Sequence, residues 1–230
     1  MIKAVLFDAD GTLYIVNKEN AYKEFFRFLS EKTGVDVKEI EEKWKGLKRE
    51  ILNSEDRNDP KKRRREYLTK KLLTYFNLDD ETVNILVHDS LDLFWHVVLS
   101  DTVSLPHVEE VVADLSKGYI LVVCSNEFRD ILEKKLNKVF GDWRKYFKFL
   151  ITPDETETMK PSKRFYEIAL ERLSIKPDEA VMVGDSWEED LEPAKNLGMK
   201  TILLNNEKEG EPDFWLKSLK NLIGIVRSLT

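Results

Sequence analysis

The chain has 230 residues, of which 35% are charged, a formal net charge of −6 at pH 7 and a single cysteine. The abundance of lysine and glutamate favours a thermophilic source, while the negative net charge argues against a nucleic-acid binder, and no apolar run is long enough to span a membrane. A lone cysteine forms no internal disulfide and no signal peptide precedes the first predicted strand, so we expect a cytoplasmic location.

The first predicted strand covers residues 2–7, an apolar run typical of a strand buried on both faces of a parallel sheet. Asp8 and Asp10 follow it directly, and Gly11 comes next. At the end of a central strand, these carboxylates would lie in the crevice where α/β folds bind ligands. Two acids so close need a proton or a cation between them, and a hard divalent metal is the natural partner. A simple acidic turn would also suit these residues, so both interpretations stay open here.

The stretch after the first strand is nearly free of glycine and proline and predicts four amphipathic helices. Gly34 is expected to end the first of them and Asp36 to cap the second. Consecutive helices with short connections favour a small antiparallel bundle. We therefore predict a helical cap domain over residues 16–100, inserted into a core domain formed by residues 1–15 and 101–230.

After the helical stretch, predicted strands and helices alternate along the chain. Such alternation implies a parallel sheet with right-handed crossovers, which is an α/β, Rossmann-like core. The tail, from Asp213, is predicted to be a last helix. The further predicted strands cover residues 119–124, 147–151, 180–184 and 199–204.

Polar residues that suit phosphate chemistry follow these strands. Ser125 and Asn126 come after the second strand, Asp185 and Ser186 come after the fourth, and Lys160 begins a helix. In a parallel sheet these positions share one edge with the aspartate pair of the first strand. Acids at this edge can hold Mg²⁺, and the metal and the lysine would screen a phosphate so that an anionic nucleophile can approach. A carboxylate can be that nucleophile, which would give an acyl phosphate that water then cleaves.

Four short motifs occur in order along the core, each after a predicted strand or before a predicted helix. Together they resemble the haloacid dehalogenase (HAD) superfamily, phosphatase branch, and the helical insert falls where that family has its type 1 cap. The resemblance implies an HAD-like core fold. The motifs are Asp8-Ala-Asp10-Gly11-Thr12, Ser125-Asn126, Lys160-Pro161 and Gly184-Asp185-Ser186 with Asp190.

The resemblance implies the catalytic and metal-binding roles of the aspartates. Asp8 would be the nucleophile that forms the aspartyl-phosphate. Asp10 would be the general acid for the leaving alcohol and then the base for water. Asp8, the main-chain carbonyl of Asp10 and Asp185 would ligate Mg²⁺, and Asp190 could be a further ligand or hold one in place.

The resemblance also implies the phosphate site. Ser125 and the backbone amide of Asn126 would hold phosphate oxygens, and Lys160 would bridge the phosphate and Asp8. The expected partner is a small phosphorylated substrate, with no nucleic acid and no membrane, and the expected state is a monomer or a homodimer.

The activity that the resemblance implies is Mg²⁺-dependent hydrolysis of a small phosphorylated metabolite. Asp10 favours a phosphate ester, because the dehalogenating members of the family lack this second aspartate. A phosphomutase uses the same two aspartates and stays an alternative, and a 2-haloacid dehalogenase is less favoured. A binding protein without activity would have no need of the complete set of motif residues.

Two further signals lie outside the motifs. The basic run over residues 61–65 could attract a multiply phosphorylated substrate or RNA. The acids Glu55, Asp56 and Asp59 precede it, however, and favour a solvated and neutralised face. Glu127, directly after the second motif, could meet a substrate or simply begin a helix.

Overall fold

The structure is a computed structural model that describes residues 1–229. Thr230, the last position of the predicted core segment, lies outside the described residues. The chain divides into a core unit, made of Met1–Val16 and the chain from Thr102 on, and a helical unit, Asn17–Asp101. Each junction lies one residue after the predicted position.

The strands of the core unit form one large sheet and one small one. The large sheet has six strands among the described residues, in the order β5-β4-β1-β6-β7-β8, and all its pairs are parallel. Strands β2 and β3 form a separate antiparallel pair. The predicted α/β class with a parallel sheet is confirmed. The strands are β1 Ala4–Phe7, β2 Tyr14–Val16, β3 Thr102–Ser104, β4 Ile120–Cys124, β5 Phe147–Ile151, β6 Ala180–Gly184, β7 Lys200–Leu204 and β8 Phe214–Leu216.

The central strand β1 is buried on both faces, as its apolar sequence predicts. Val5 and Phe7 join one hydrophobic cluster, while Ala4 and Leu6 join another. All four residues are 0% exposed. Because side chains alternate along a strand, this division places apolar side chains on each face of the sheet. The burial fixes the direction and the end point of β1, and therefore the position of the residues that follow it.

Helices connect the strands of the core unit and make up the helical unit. Short 3₁₀ segments lie at Glu55–Asn58, Trp143–Lys145, Pro177–Glu179 and Leu219–Asn221. Across residues 1–229, none of the helices combines the length and the apolar character needed to cross a membrane. The helices are α1 Lys18–Thr33, α2 Val37–Leu52, α3 Pro60–Arg63, α4 Arg65–Tyr75, α5 Asp80–Ser100, α6 Val108–Leu115, α7 Arg129–Phe140, α8 Pro153–Thr156, α9 Lys163–Leu173, α10 Glu192–Leu197 and α11 Leu222–Ser228.

The helical unit is built around an aromatic cluster. Phe25 and Phe26 of α1 pack against Trp44 of α2, with ring centroids 5.3 and 6.1 Å apart, and Phe25 also meets Phe94 of α5 at 6.0 Å. The caps agree with the predictions, since Gly34 ends α1 with φ of 72° and the Asp36 side chain accepts from the backbone of α2.

The third predicted helix of this unit is broken into α3 and α4. Arg64 lies between them with φ of −59° and ψ of 136°, which is an extended rather than a helical conformation. The helical pattern of the sequence therefore continues across a point at which the backbone turns.

The prediction of a helix from Asp213 is wrong at its start. The Asp213 carboxylate accepts hydrogen bonds from both the backbone N–H and the hydroxyl of Thr201, each at 2.9 Å. This contact ties the segment to β7, and Phe214–Leu216 then pairs with β7 as the edge strand β8. The last helix, α11, begins only at Leu222. Pairing with a distant strand prevails here over the local pattern.

Candidate active site

Polar side chains gather at the carboxyl edge of the large sheet. Asp8 follows β1, Ser125 follows β4 and Asp185 follows β6, and β1 lies between the other two strands. Asp190 comes from a π-helical turn, Trp187–Leu191, which begins three residues after the end of β6. The parallel order of the sheet therefore brings together residues that lie far apart in the chain.

Three of these side chains form a cluster of carboxylates. Asp8, Asp185 and Asp190 each offer one oxygen, and these oxygens lie within 4.8 Å of one another. Asp8 is 6% exposed and Asp190 is 2% exposed. Oxygen donors at this spacing suit a hard divalent cation. Within the described residues the Asp10 carboxylate is not part of the cluster, so the predicted metal contact of Asp10 would rest on its main-chain carbonyl.

A buried lysine lies between two carboxylates of the cluster. Lys160 Nζ lies 2.5 Å from Asp8 Oδ1 and 2.6 Å from Asp190 Oδ1, and the lysine is 4% exposed. Burial acts to lower the pKa of this ammonium, but the negative charges of Asp190 and Asp8 outweigh burial and raise the pKa well above its ordinary value. The lysine is therefore a fixed positive charge between two buried carboxylates.

The Asp8 carboxylate is held at both oxygens. Thr12 donates its hydroxyl to Asp8 Oδ2 at 3.1 Å, while Lys160 bonds the other oxygen. The carboxylate therefore has one orientation, with Thr12 as a positioning contact that was not assigned from the sequence.

Burial and crowding raise the pKa of two carboxyl groups in the cluster. Burial is the main cause that raises the pKa of Asp8 to about 8, with Lys160 opposing it and Asp190 and Asp185 adding to it. Burial, followed by the charge of Asp190, raises the pKa of Asp185 to about 6. Near neutral pH the cluster therefore retains a proton that a bound cation would displace.

Two glycines make room for the cluster. Gly11 has φ of 87°, and a Cβ at this position would lie 2.1 Å from Asp185 Oδ2. A Cβ at Gly184 would lie 2.6 Å from Asp190 Oδ2. A side chain at either position would displace one of the carboxylates, so the glycine of the first motif and that of the fourth are required by packing.

The second motif supports Lys160 through the side chain of Asn126. Lys160 donates its backbone N–H to Asn126 Oδ1 at 2.8 Å, and Asn126 Nδ2 donates to the Lys160 carbonyl at 3.1 Å. The side chain is thus occupied, and only the backbone amide of Asn126 is left for the predicted phosphate contact. Ser125 is 4% exposed and its hydroxyl oxygen accepts from the Glu127 N–H at 3.1 Å, which leaves the hydroxyl hydrogen to donate.

The Asp10 carboxylate meets a second buried lysine. Lys135 Nζ lies 3.3 Å from Asp10 Oδ1 and 2.8 Å from Glu127 Oε2, and Lys135 is 0% exposed. Glu127, for which the sequence left two interpretations, therefore pairs with Lys135 beside Asp10. This contact fixes the side chain of the predicted acid and base.

Lys135 was missed in the sequence, although a signal was present. It lies in the inward stripe of α7, between Leu132 and Leu136, where helical spacing otherwise places apolar residues. A lysine at such a position needs a buried partner, because a buried charge without one is costly. Its partners come from other parts of the chain, which the spacing alone does not reveal.

A family model described as haloacid dehalogenase-like hydrolase matches residues 2–198. A glyceraldehyde 3-phosphate phosphatase from Methanothermobacter thermautotrophicus is 33% identical, over 93% of this chain and 90% of the relative. A putative pyrophosphatase, PpaX, from Clostridium perfringens is 31% identical, over 100% of this chain and 99% of the relative.

Among solved structures, a 2-haloacid dehalogenase from Pseudomonas syringae pv. Tomato superposes with a TM-score of 0.79. The alignment covers 100% of both chains at 22% identity. At this identity the likeness concerns the fold.

Proposed function

The chain belongs to the haloacid dehalogenase-like hydrolase family, and we propose that within this family it is a Mg²⁺-dependent phosphatase that acts on a small phosphorylated metabolite. The observation that carries the proposal is the buried Lys160, which contacts Asp8 and Asp190 beside Asp185. A nucleophilic carboxylate, a fixed cation and a set of oxygen donors are what phosphoryl transfer requires.

The relatives support a phosphate substrate. Both are named as phosphatases, one for glyceraldehyde 3-phosphate and one as a putative pyrophosphatase. The likeness to a dehalogenase concerns the fold, whereas Asp10, which a halide leaving group would not need, is present here beside Lys135. We therefore favour a phosphate ester over a haloacid.

The residues present fit a magnesium ion. The carboxylates of Asp8, Asp185 and Asp190 would hold it, together with the main-chain carbonyl of Asp10, and all of these are oxygen donors. When bound, the ion supplies positive charge for the phosphoryl oxygens. The raised pKa of Asp8, about 8, fits such a site because crowded carboxylates bind either protons or a cation.

The reaction we propose has two steps. In the first, the Asp8 carboxylate forms a bond to phosphorus, the ester P–O bond breaks, and Asp10 gives its proton to the leaving alcohol. In the second, Asp10 takes a proton from water, which attacks the phosphorus, and the bond from Asp8 to phosphorus breaks. Inorganic phosphate leaves and both aspartates return to their first state. Lys160 and Ser125 would donate hydrogen bonds to phosphoryl oxygens throughout.

Phosphate release from a panel of phosphorylated metabolites and p-nitrophenyl phosphate tests the proposal. We expect release that requires Mg²⁺ and stops with a chelator. Release that continues in the chelator would contradict the metal dependence. Stoichiometric release would also count against a phosphomutase, which would return the phosphoryl group to its substrate.

Magnesium affinity should rise with pH. Since the pKa of Asp8 is raised to about 8 and that of Asp185 to about 6, Mg²⁺ must displace protons below these values. One displaced proton lowers the affinity about tenfold for each pH unit below about 8. Titration calorimetry at about pH 6, 7 and 8, in buffers of different ionisation enthalpy, measures both affinity and proton release. An affinity that is constant over this range would show that the cluster holds no proton.

Removing the buried cation beside Asp10 should slow turnover. In Lys135→Met, the Asp10 carboxylate loses its fixed partner, and we expect kcat to fall about 10²-fold while KM changes little. The matched control is Lys134→Met, which removes an exposed lysine from the same helix. Steady-state kinetics measure kcat and KM of each variant, and urea denaturation measures its stability. A loss confined to stability, or an equal loss in the control, would reduce Lys135 to a structural role.

A further inference from the structure

The helical unit contains a small pocket with a basic lining. Its volume is about 150 Å³, and Lys48, Arg63 and Arg65 line it together with the Tyr22 ring and aliphatic side chains. Cavities that hold whole drug-sized ligands have roughly 300–1,000 Å³. The pocket is therefore the size of one charged group rather than of a metabolite.

The cations of this pocket are not neutralised by acids. In the basic run of residues 61–65, it is Lys62 that pairs with Asp56, at 2.5 Å. Within residues 1–229, no carboxylate forms an ion pair with the three cations that line the pocket. The sequence expectation of a neutralised face therefore holds for Lys62 and fails for Arg63 and Arg65. In a chain with a net charge of −6, a group of cations without acids is an unusual local excess.

The backbone holds two of these cations in place. The break at Arg64, between α3 and α4, separates Arg63 from Arg65 along the chain, yet both side chains reach the same pocket. Arg63 donates to the Arg57 carbonyl at 2.9 Å. This contact uses one of its donors and leaves the rest of the fork for another acceptor.

Arg65 is the most firmly held of the cations. Its guanidinium lies 4.0 Å from the centroid of the Phe94 ring, and one terminal nitrogen donates to the Tyr22 hydroxyl at 2.7 Å. Among the described residues its buried Nε has no hydrogen-bond partner, so no acceptor of the chain neutralises this guanidinium from the buried side. Stacking and the bond to Tyr22 hold the side chain, and its remaining terminal donors can serve an acceptor in the pocket that it lines.

The pKa of Tyr22 reflects the positive charge around the pocket. Burial acts to raise the pKa of this phenol, but the charge and hydrogen bond of Arg65, with Lys48 and Lys18, outweigh burial and lower it. The pocket therefore favours a negative charge.

We propose that this pocket is an anion-binding site that takes one phosphate or carboxylate group. The fork of Arg65, with Arg63 and Lys48, supplies donors and charge, and the pocket volume suits a single tetrahedral or planar anion. The occupant is a free anion that acts as an effector, since every residue that lines the pocket belongs to the helical unit.

Binding of sulfate and inorganic phosphate, without Mg²⁺ and at low salt, tests the site directly. Tryptophan fluorescence is a suitable signal, because the Arg65 guanidinium lies 5.2 Å from the Trp95 ring. We expect saturable binding that weakens at least tenfold in the double variant Lys48→Met, Arg63→Gln. Lys62→Met is the matched control, since this lysine belongs to the same basic run and pairs with Asp56 instead. Ser125→Ala removes a contact of the proposed phosphate site in the core unit, so saturable binding that persists in this variant is binding to the pocket.

Equal affinity in the wild type and the double variant, or no saturable binding by the wild type, would overturn the site. This titration needs no turnover, so it decides the anion site even if the proposed phosphatase activity is absent.

Kinetics then test whether the bound anion acts as an effector. Sulfate should change the rate with p-nitrophenyl phosphate more in the wild type than in the double variant, because competition at the phosphate site of the core unit is common to both. An equal effect of sulfate on the two proteins would contradict the effector role.

Discussion

Replacing Asp8 by asparagine should abolish turnover and leave the fold intact. An amide has no anionic oxygen to attack phosphorus, so we expect kcat to fall by at least about 10⁴-fold, the scale on which a lost nucleophile acts. Substrate should still bind, because Lys160 and Ser125 remain. Phosphate release measured at saturating Mg²⁺ separates this loss from a weakened metal site.

The expected stability of Asp8→Asn follows from the raised pKa of Asp8 in the wild type. A carboxyl group whose pKa is raised to about 8 in the folded state binds its proton more tightly than in the unfolded chain. Its contribution to stability is complete at low pH and is lost as the pH rises towards about 8. The neutral amide removes this loss, so without metal the variant should be at least as stable as the wild type near pH 8. Asp92→Asn, at an exposed position, is the control, and a variant that unfolds would contradict the account.

Replacing Lys160 by methionine should damage both stability and activity. Lys160 is the cation between Asp8 and Asp190, and its removal leaves two buried carboxylates without a compensating positive charge. Breaking a buried pair in this way costs about 3–5 kcal/mol. We also expect kcat to fall about 10²–10³-fold, as when one donor to a developing negative charge is removed.

The stability loss in Lys160→Met should depend on pH. Without the ammonium, the carboxyl groups fold more easily in their protonated forms, so the variant should approach the wild type at low pH and lose stability as the pH rises towards 8. Urea denaturation without metal at about pH 5 and pH 8 measures this change. Lys163→Met is the control, because its pair with Glu167, at 3.2 Å, is exposed and worth about 0.5 kcal/mol or less. Equal stabilities of the two variants at pH 8 would show that the buried pairs contribute little.

The edge of the sheet could be predicted because local sequence determines it. The apolar runs before Asp8 and before Asp185 each predict a buried strand. In a parallel sheet the carboxyl ends of these strands lie at the same edge. The predicted elements placed Lys160 at the same edge, and the resemblance implied its contact with Asp8. Its second partner, Asp190, lies on a π-helical turn, and no periodicity in the sequence indicates that turn.

Contacts between distant segments account for what the sequence did not predict. The role of Lys135 depends on its ion pairs with Asp10 and Glu127, which both lie outside its own helix. The role of the Asn126 side chain depends on its hydrogen bond with the Lys160 backbone. Likewise, β8 exists because Asp213 meets Thr201 at the edge of the sheet.

The basic run over residues 61–65 illustrates the same limit. Counting the nearby acids predicts neutralisation, but Lys62 bonds Asp56 whereas Arg63 and Arg65, on either side of the break at Arg64, line a pocket. Only three-dimensional placement separates Lys62, which pairs with Asp56, from Arg65, for which no acid partner lies among residues 1–229.

The central claim is that Asp8 carries the phosphoryl group during turnover. Acid quenching of the enzyme during the reaction, followed by borohydride reduction and mass spectrometry of the peptide that contains Asp8, tests it most directly. Borohydride converts an acyl phosphate to an alcohol, so we expect Asp8 to become homoserine in a fraction of the molecules that grows with substrate. An unmodified Asp8 in an enzyme that is releasing phosphate, or a phosphoryl group on Ser125 instead, would contradict the account.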